Sequence, residues 1–144
     1  MSGTFAAGAV QGTFAPPASI AAGLGIPLQA PVIQTIQTNH QSGLVASITL
    51  FSTPREVTQL TLTFNTQAKL SLSCAAASGC SASGNTLVLD VQSFFSDWFA
   101  ADTQFGSLNI LRLPLSISGT LRGTVDVTLS NRFGASQKQS FNLP

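Results

Sequence analysis

Residues 85–106, NTLVLDVQSFFSDWFAADTQFG, contain the two patterns on which the fold of this chain depends. The first part of the stretch alternates between apolar and other side chains, with a period of two. That period is typical of a β-strand with one buried face. We therefore predict a strand over 86–91. The side chains on its apolar face are Leu87, Leu89 and Val91.

A short helix is predicted directly after this strand, because four aromatic side chains stand at positions i, i+1, i+4 and i+5. Ser93 precedes them and can cap the helix. We interpret the helix as a plug over one end of a β-sandwich core, with the only tryptophan largely buried between the sheets. A sugar-stacking platform is the alternative, although the chain has no Tyr for such a platform. The four aromatic residues are Phe94, Phe95, Trp98 and Phe99.

Strand patterns recur at short, even intervals from residue 32 onward. Pro114 lacks an N–H group, which predicts that its strand lies at a sheet edge or a bulge. The pattern predicts an all-β fold: an immunoglobulin-like (Ig-like) antiparallel β-sandwich of about eight strands with one short aromatic helix, over residues 32–144. The predicted strands are 32–38, 44–51, 57–65, 69–74, 86–91, 108–117, 125–129 and 137–143.

Residues 1–31 differ from the rest, since they are rich in Gly, Ala and Pro and contain no charged residue. We predict an extended arm that gains free energy by leaving water. Added as a strand to the open sheet edge of a neighbouring copy, such an arm naturally builds filaments. The alternative is that the arm folds back over its own sandwich. The residues predicted to pair are Thr4, Phe5, Val10, Thr13 and Phe14.

The composition limits the classes of partner. Charged residues make up 8% of the 144 residues, against a usual share of about a quarter, so the polar surface must be Ser, Thr, Asn and Gln. This composition suits secreted β proteins and packed assemblies. A net charge of +1 with scattered cations predicts no nucleic-acid partner. No apolar run reaches the roughly 18 residues of a membrane span.

Cys74 and Cys80 enclose five small residues in CAAASGC. We predict a disulfide, which implies an oxidising compartment. Two reduced thiols near a hairpin tip are the alternative. A zinc site is not indicated, because the chain has one histidine and no CxxC spacing.

No catalytic constellation is indicated. His40 stands in a polar turn, and the chain has no GxSxG elbow. Asp97 lies between the aromatic residues and Asp102 lies five positions later; we interpret the two acids as capping and solubilising groups rather than as a glycosidase pair. A calcium site from Asp90, Asp97 or Asp102 lacks a DxDxDG-like run. We therefore expect no enzymatic activity, no cofactor and no metal.

The chain resembles Ig-like modules near the C-termini of large secreted or surface proteins of soil bacteria. The resemblance covers about residues 31–143, and its most specific pieces are TPREVTQ at 53–59 and FFSDWFAADTQFGS at 94–107. It implies a β-sandwich, an extracytoplasmic setting and no catalytic residue. The CAAASGC insertion departs from the pattern.

These patterns predict a non-enzymatic structural protein or module, outside the cell or at its surface, that self-associates as a homo-oligomer, a filament or a surface-layer-like assembly. A module for surface adhesion or glycan binding is the alternative. The N-terminus lacks the basic region and the apolar block of a signal peptide. Either a signal has been removed or the chain is a piece of a longer protein.

Overall fold

The structure is a computed structural model that describes residues 25–40, 43–72, 79–101, 107–116 and 121–143, together with the backbone of 3–7 and 10–14. The strands are β1 (Gly3–Ala7), β2 (Val10–Phe14), β3 (Val32–Asn39), β4 (Leu44–Phe51), β5 (Gln59–Asn65), β6 (Cys80–Ser83), β7 (Thr86–Asp90), β8 (Leu108–Leu115), β9 (Thr124–Asn131), β10 (Gly134–Ala135) and β11 (Gln139–Asn142). One helix, α1 (Gln92–Ala101), lies between β7 and β8 in this part of the chain.

The strands β3 to β11 form two antiparallel sheets around one core. The small sheet has the order β3-β4-β8, and the large sheet has the order β10-β9-β5-β7-β6, with β11 also paired to β9. The chain passes from β4 to β5 between sheets, after which β8 pairs with β4 and β9 pairs with β5. This is the Greek-key arrangement of immunoglobulin-like sandwiches. The predicted all-β, Ig-like sandwich is therefore confirmed.

Alternating side chains of both sheets fill the core between them. Every second residue of β4, β5 and β9 is buried, as their period-two patterns predict. Burying one large aliphatic or aromatic side chain contributes about 1.5–3 kcal/mol. The buried apolar side chains of these three strands are Leu44, Ala46, Ile48, Leu50, Leu60, Leu62, Phe64, Val125, Val127 and Leu129.

The predicted strand over 69–74 is wrong for residues 69–72, which are not in a strand. The strand beside β7 is instead β6, which the sequence analysis missed. Ser83 lies opposite Thr86, and the two-residue turn between them contains Gly84 at a φ of 57°. Such a tight turn brings β6 beside β7 with little loss of chain entropy. Leu70 and Leu72 still pack against the core as irregular chain.

Other predicted strands differ from the observed ones mainly at their ends. The strand predicted over 57–65 begins at Gln59, and the last predicted strand, 137–143, is shortened to β11. β8 pairs with β4 as its one partner among the described strands. Pro114 therefore lies on an edge strand, as predicted from its missing N–H group.

Two short strands within the predicted arm form a hairpin. β1 and β2 pair with each other as a two-stranded antiparallel sheet, with Thr4 opposite Thr13 and Phe5 opposite Gly12. Pairing satisfies backbone N–H and C=O groups that a lone strand leaves open. The side chains of the five predicted pairing residues lie outside what the structure describes. Residues 25–31 follow without regular secondary structure.

Candidate functional site

The end of the sandwich that carries α1 holds the features that distinguish this molecule, beginning with the start of the helix. The Asp90 carboxylate accepts a hydrogen bond from the Gln92 N–H at 3.0 Å, and the Val91 carbonyl accepts one from the Phe95 N–H at 3.0 Å. Ser93 lies inside the first turn, so the prediction that it caps the helix is wrong. Asp90 thus ends β7 and supports the first turn of α1.

The four predicted plug residues differ in burial according to their angular position around the helix. Phe94 is 54% exposed, Trp98 is partly buried at the margin, and Phe95 and Phe99 lie in the core. Successive helical residues are rotated by about 100°, so these positions span an arc of about 140° from Phe94 to Phe99. Only the Phe95–Phe99 side of that arc faces the sheets. The expectation that Phe94 fills the core is wrong, and Trp98 lies at the core margin rather than between the sheets.

Arg55 ties the corner between β4 and β5 to the last turn of α1. Its Nη2 donates a hydrogen bond to the Phe99 carbonyl, and its guanidinium lies 5.5 Å from the Phe99 ring centroid. The last four carbonyls of a helix lack intrahelical partners, and a cation there complements the helix dipole. Arg55 has a φ of 53°, an uncommon region for a residue other than glycine. The corner is therefore held in a strained conformation by its contacts with the helix.

Exposed apolar side chains in the described residues are concentrated at this same end, which we call the helix pole. It comprises α1, the starts of β3, β5 and β8, and the ends of β4, β7 and β9. The segment before β3 is attached there, because the Asn131 side-chain amide donates to the Gln29 carbonyl at 2.9 Å. The exposed large apolar residues are Ile26, Leu28, Val32, Phe94, Leu108, Ile110 and Phe133.

The outer face of the small sheet continues this apolar surface. Val32, Phe51 and Leu108 stand side by side in one cross-strand row nearest the pole. In the next row, Ile110 is 60% exposed beside Thr49. Contiguous exposed apolar surface marks interaction sites in soluble proteins. The sequence analysis missed this surface, although Leu108 and Ile110 occupy the strand face opposite the predicted core residues.

β8 also has an open backbone edge, by which we mean the side on which no described strand pairs with it. The Ser52 N–H donates to the Ser107 carbonyl at 2.9 Å, next to the pair formed by Phe51 and Leu108. In antiparallel pairs, residues alternately point both backbone groups toward the partner strand and away from it. The even-numbered residues of β8 therefore direct their N–H and C=O groups to the side without a described partner strand. Pro114 falls on that side, where its missing N–H costs no ladder bond.

The outer face of the large sheet is polar. One cross-strand row consists of Ser140, Asp126, Thr63, Thr86 and Ser83. The Ser140 hydroxyl donates to Asp126 at 2.6 Å, and the Lys138 ammonium lies 2.9 Å from the same carboxylate. These hydrogen bonds, with a further one from Asn65, lower the pKa of Asp126 to about 2.

A groove of about 530 Å³ lies at the β6–β7 side of this polar face. Hydroxyl, amide and carboxylate side chains line it, and they suit hydrogen bonding to a polar ligand. The polar lining residues are Thr58, Gln59, Ser81, Asp90 and Gln92.

Within the described part of the chain, no group of three or more His, Cys, Asp or Glu side chains is placed to hold a metal ion. Asp102 and Cys74 lie outside the described residues, so the disulfide between Cys74 and Cys80 stays a prediction. No helix among the described residues is long and apolar enough to cross a membrane.

The fold and the helix pole define the chain as an immunoglobulin-like β-sandwich domain with an aromatic helix at one end. Comparisons with protein-family models, curated proteins and solved structures found no match.

Proposed function

We propose that this protein is a non-enzymatic structural module that works by self-association, outside the cell or at its surface. One observation supports this most: exposed apolar side chains gather at the helix pole and continue onto the small sheet beside the open edge of β8. An unpaired strand edge is a ready template for pairing with another chain. The apolar rows beside it add a gain from burial.

The charges of the molecule do not oppose contact between copies. Glu56 and Arg132 neutralise each other at the pole through an ion pair of 3.1 Å. The formal net charge of the whole chain is +1, and a net charge near zero promotes association. The proposed assembly is therefore a homo-oligomer.

The extracellular setting is part of the proposal and is supported by composition. Charged residues are 8% of the chain, and the outer face of the large sheet is built mainly of Ser and Thr. A disulfide between Cys74 and Cys80 belongs to the same proposal, because disulfides persist in oxidising compartments. Mass spectrometry of protein purified without reductant tests it, and two free thiols would contradict it.

Light scattering after size-exclusion chromatography, over a concentration series, tests self-association, and electron microscopy shows the form of the assembly. We expect the wild-type chain to assemble and Ile110→Lys to remain monomeric, because the ammonium places a charge on the apolar rows. Thr61→Lys on the polar outer face is the matched control and should assemble like the wild type. A wild-type chain that stays monomeric at every concentration would refute the proposal.

A glycan-binding module is the second candidate, favoured by the polar groove beside β6 and β7. Its amide and hydroxyl groups can exchange hydrogen bonds with sugar hydroxyls. A glycan array probed with the wild-type chain and with Gln59→Ala tests this. Binding that disappears in the variant supports the candidate, and an array without signal removes it.

A further inference from the structure

We propose that the hairpin β1–β2 of one copy adds to the open edge of β8 in a second copy. This inference rests on the proposed function, because it names the segment through which the copies associate. The contact is a strand addition, in which backbone hydrogen bonds supply affinity and side chains set the register.

The hairpin is a suitable donor because it forms a sheet of its own. β1 and β2 pair with each other, and neither is a strand of the two sandwich sheets of the same chain. A two-stranded hairpin alone is marginally stable in water, and at least three strands with an apolar face are needed for independent stability. Pairing with β8 would make the hairpin part of a five-stranded sheet.

The lengths of donor and acceptor agree. β1 and β2 have five residues each, which corresponds to about 17 Å at the usual rise per residue. On β8, the edge groups belong to Leu108, Ile110 and Arg112, also a span of five residues, before Pro114 interrupts the row of N–H donors.

The chemical character of the two surfaces also agrees. Residues 1–31 contain no charged side chain, so a hairpin from this segment can be buried without the cost of removing an ion from water. The acceptor edge borders the rows that contain Val32, Leu108 and Ile110, all exposed. Alternate side chains of an added strand would extend these apolar rows by one strand.

The root of the donor segment lies at the opposite edge of the small sheet from the acceptor. The Gln29 N–H donates to the Thr53 hydroxyl at 3.1 Å, which together with the Asn131 bond fixes the chain just before β3. β3 and β8 are the two edges of this sheet. Because donor root and acceptor lie on different sides, each copy can receive one hairpin and donate another, and a head-to-tail filament results unless the rotation closes a ring.

Two full-length variants separate the donor from the acceptor. Phe5→Lys with Phe14→Lys charges the hairpin and leaves β8 intact. Ile110→Pro removes an edge N–H that does not bond to β4, and it leaves the hairpin intact. We expect each variant alone to be monomeric, and an equimolar mixture to form a 1:1 complex, because one copy still accepts and the other still donates.

Light scattering and native mass spectrometry read the outcome, with circular dichroism as the control for folding. Assembly of the Phe5→Lys, Phe14→Lys variant at wild-type level would overturn the hairpin as donor and leave self-association standing. A monomeric wild-type chain would instead refute the proposed function itself. If Ile110→Pro does not fold, the hairpin variant and the wild type still test the proposal. An assembled wild type with a monomeric hairpin variant supports the hairpin as donor, and equal assembly of the two contradicts it.

Discussion

The two outer faces of the sandwich are built from the same alternating strands and differ in what the outward residues are. On the large sheet, outward positions carry hydroxyl groups, and Thr63 and Thr86 place theirs 3.5 Å apart. On the small sheet, Val32, Leu108 and Ile110 point outward and are exposed. Burial of apolar area contributes about 25 cal/mol per Å², so the second face gains more from a partner. The period of two in each strand decides which side chains point into the core. The chemical character of the outward side chains decides which outer face gains more from binding a partner.

Both outer faces belong to sheets that pack on one shared core. We expect the largest loss of stability when a large side chain of that core is removed. Phe95 is fully buried on the inner side of α1. Phe95→Ala should lower the free energy of unfolding by about 3–5 kcal/mol. Urea denaturation measures this. A loss below about 1 kcal/mol would show that α1 is not part of the core.

At the helix pole, Arg55 joins the corner between β4 and β5 to the last turn of α1. Arg55→Ala removes the bond to the Phe99 carbonyl and the contact with the ring, and should cost about 1–3 kcal/mol. Arg55→Gly, which relieves the positive φ, separates strain from contact: it should cost less than alanine. Thermal melts of both variants measure the difference, and equal melting temperatures would show that the strain is small.

The inner side of β8 is less uniformly apolar than the inner side of β4. Asn109 is buried opposite Leu50, and its Nδ2 has no hydrogen-bond partner among the residues that the structure describes. Burying an unpaired polar group costs about 1–3 kcal/mol, so Asn109→Val should raise stability by about 1 kcal/mol. Chemical denaturation measures the change. A destabilised Asn109→Val variant would indicate that the amide contributes to the core.

On the polar face, the hydrogen bonds that Asp126 accepts from Ser140 and Lys138 predict a pH dependence. Because the folded pKa of about 2 lies below the ordinary value of 3.8, the contribution of Asp126 to stability is fully present above pH 3.8 and is lost as the pH falls through about 2. Asp126→Asn should cost about 1 kcal/mol or less at neutral pH, since the partner Lys138 is exposed. Denaturation of the wild type and of Asp126→Asn at neutral pH and near pH 2 tests this. A difference in stability between the two proteins that persists near pH 2 would contradict it.

The smallest expected effect on stability concerns Phe94. Its side chain is more than half exposed, so Phe94→Ala should change the free energy of unfolding by less than about 0.5 kcal/mol. It is the matched control for Phe95→Ala on the same helix. Differential scanning calorimetry of the two variants, side by side, compares the outer and inner sides of the helix. A large loss in Phe94→Ala would mean that the ring is covered in solution.

Local patterns predicted much of the fold. Alternation identified β4, β5 and β9, because a strand has the same period wherever it lies. The pattern over 69–74 failed, since alternation does not say which segment takes the place beside β7. The two-residue turn before Thr86 places β6, rather than residues 69–72, beside β7.

The candidate site was less accessible to sequence reasoning. The aromatic spacing identified α1, but the burial of Phe95 and the exposure of Phe94 depend on the side of the arc that the sheets cover. The contact of Arg55 with the helix could not be predicted from local pattern, because Arg55 and Phe99 are 44 residues apart. Arg55 lies in TPREVTQ and Phe99 lies in FFSDWFAADTQFGS, and the fold joins these two segments in one contact.

The amino-acid sequence by itself determined the all-β class, most strand positions, the inward faces and the location of the single described helix. Backbone period and local turn chemistry control those features, and both act over a few residues. Only the tertiary structure decided that no described strand pairs with the outer side of β8, that Val32, Phe51 and Leu108 form one row, and that the exposed large apolar residues of the described ranges lie at or beside one pole. These features join positions tens of residues apart, and cross-strand register, which local pattern does not specify, brings them together.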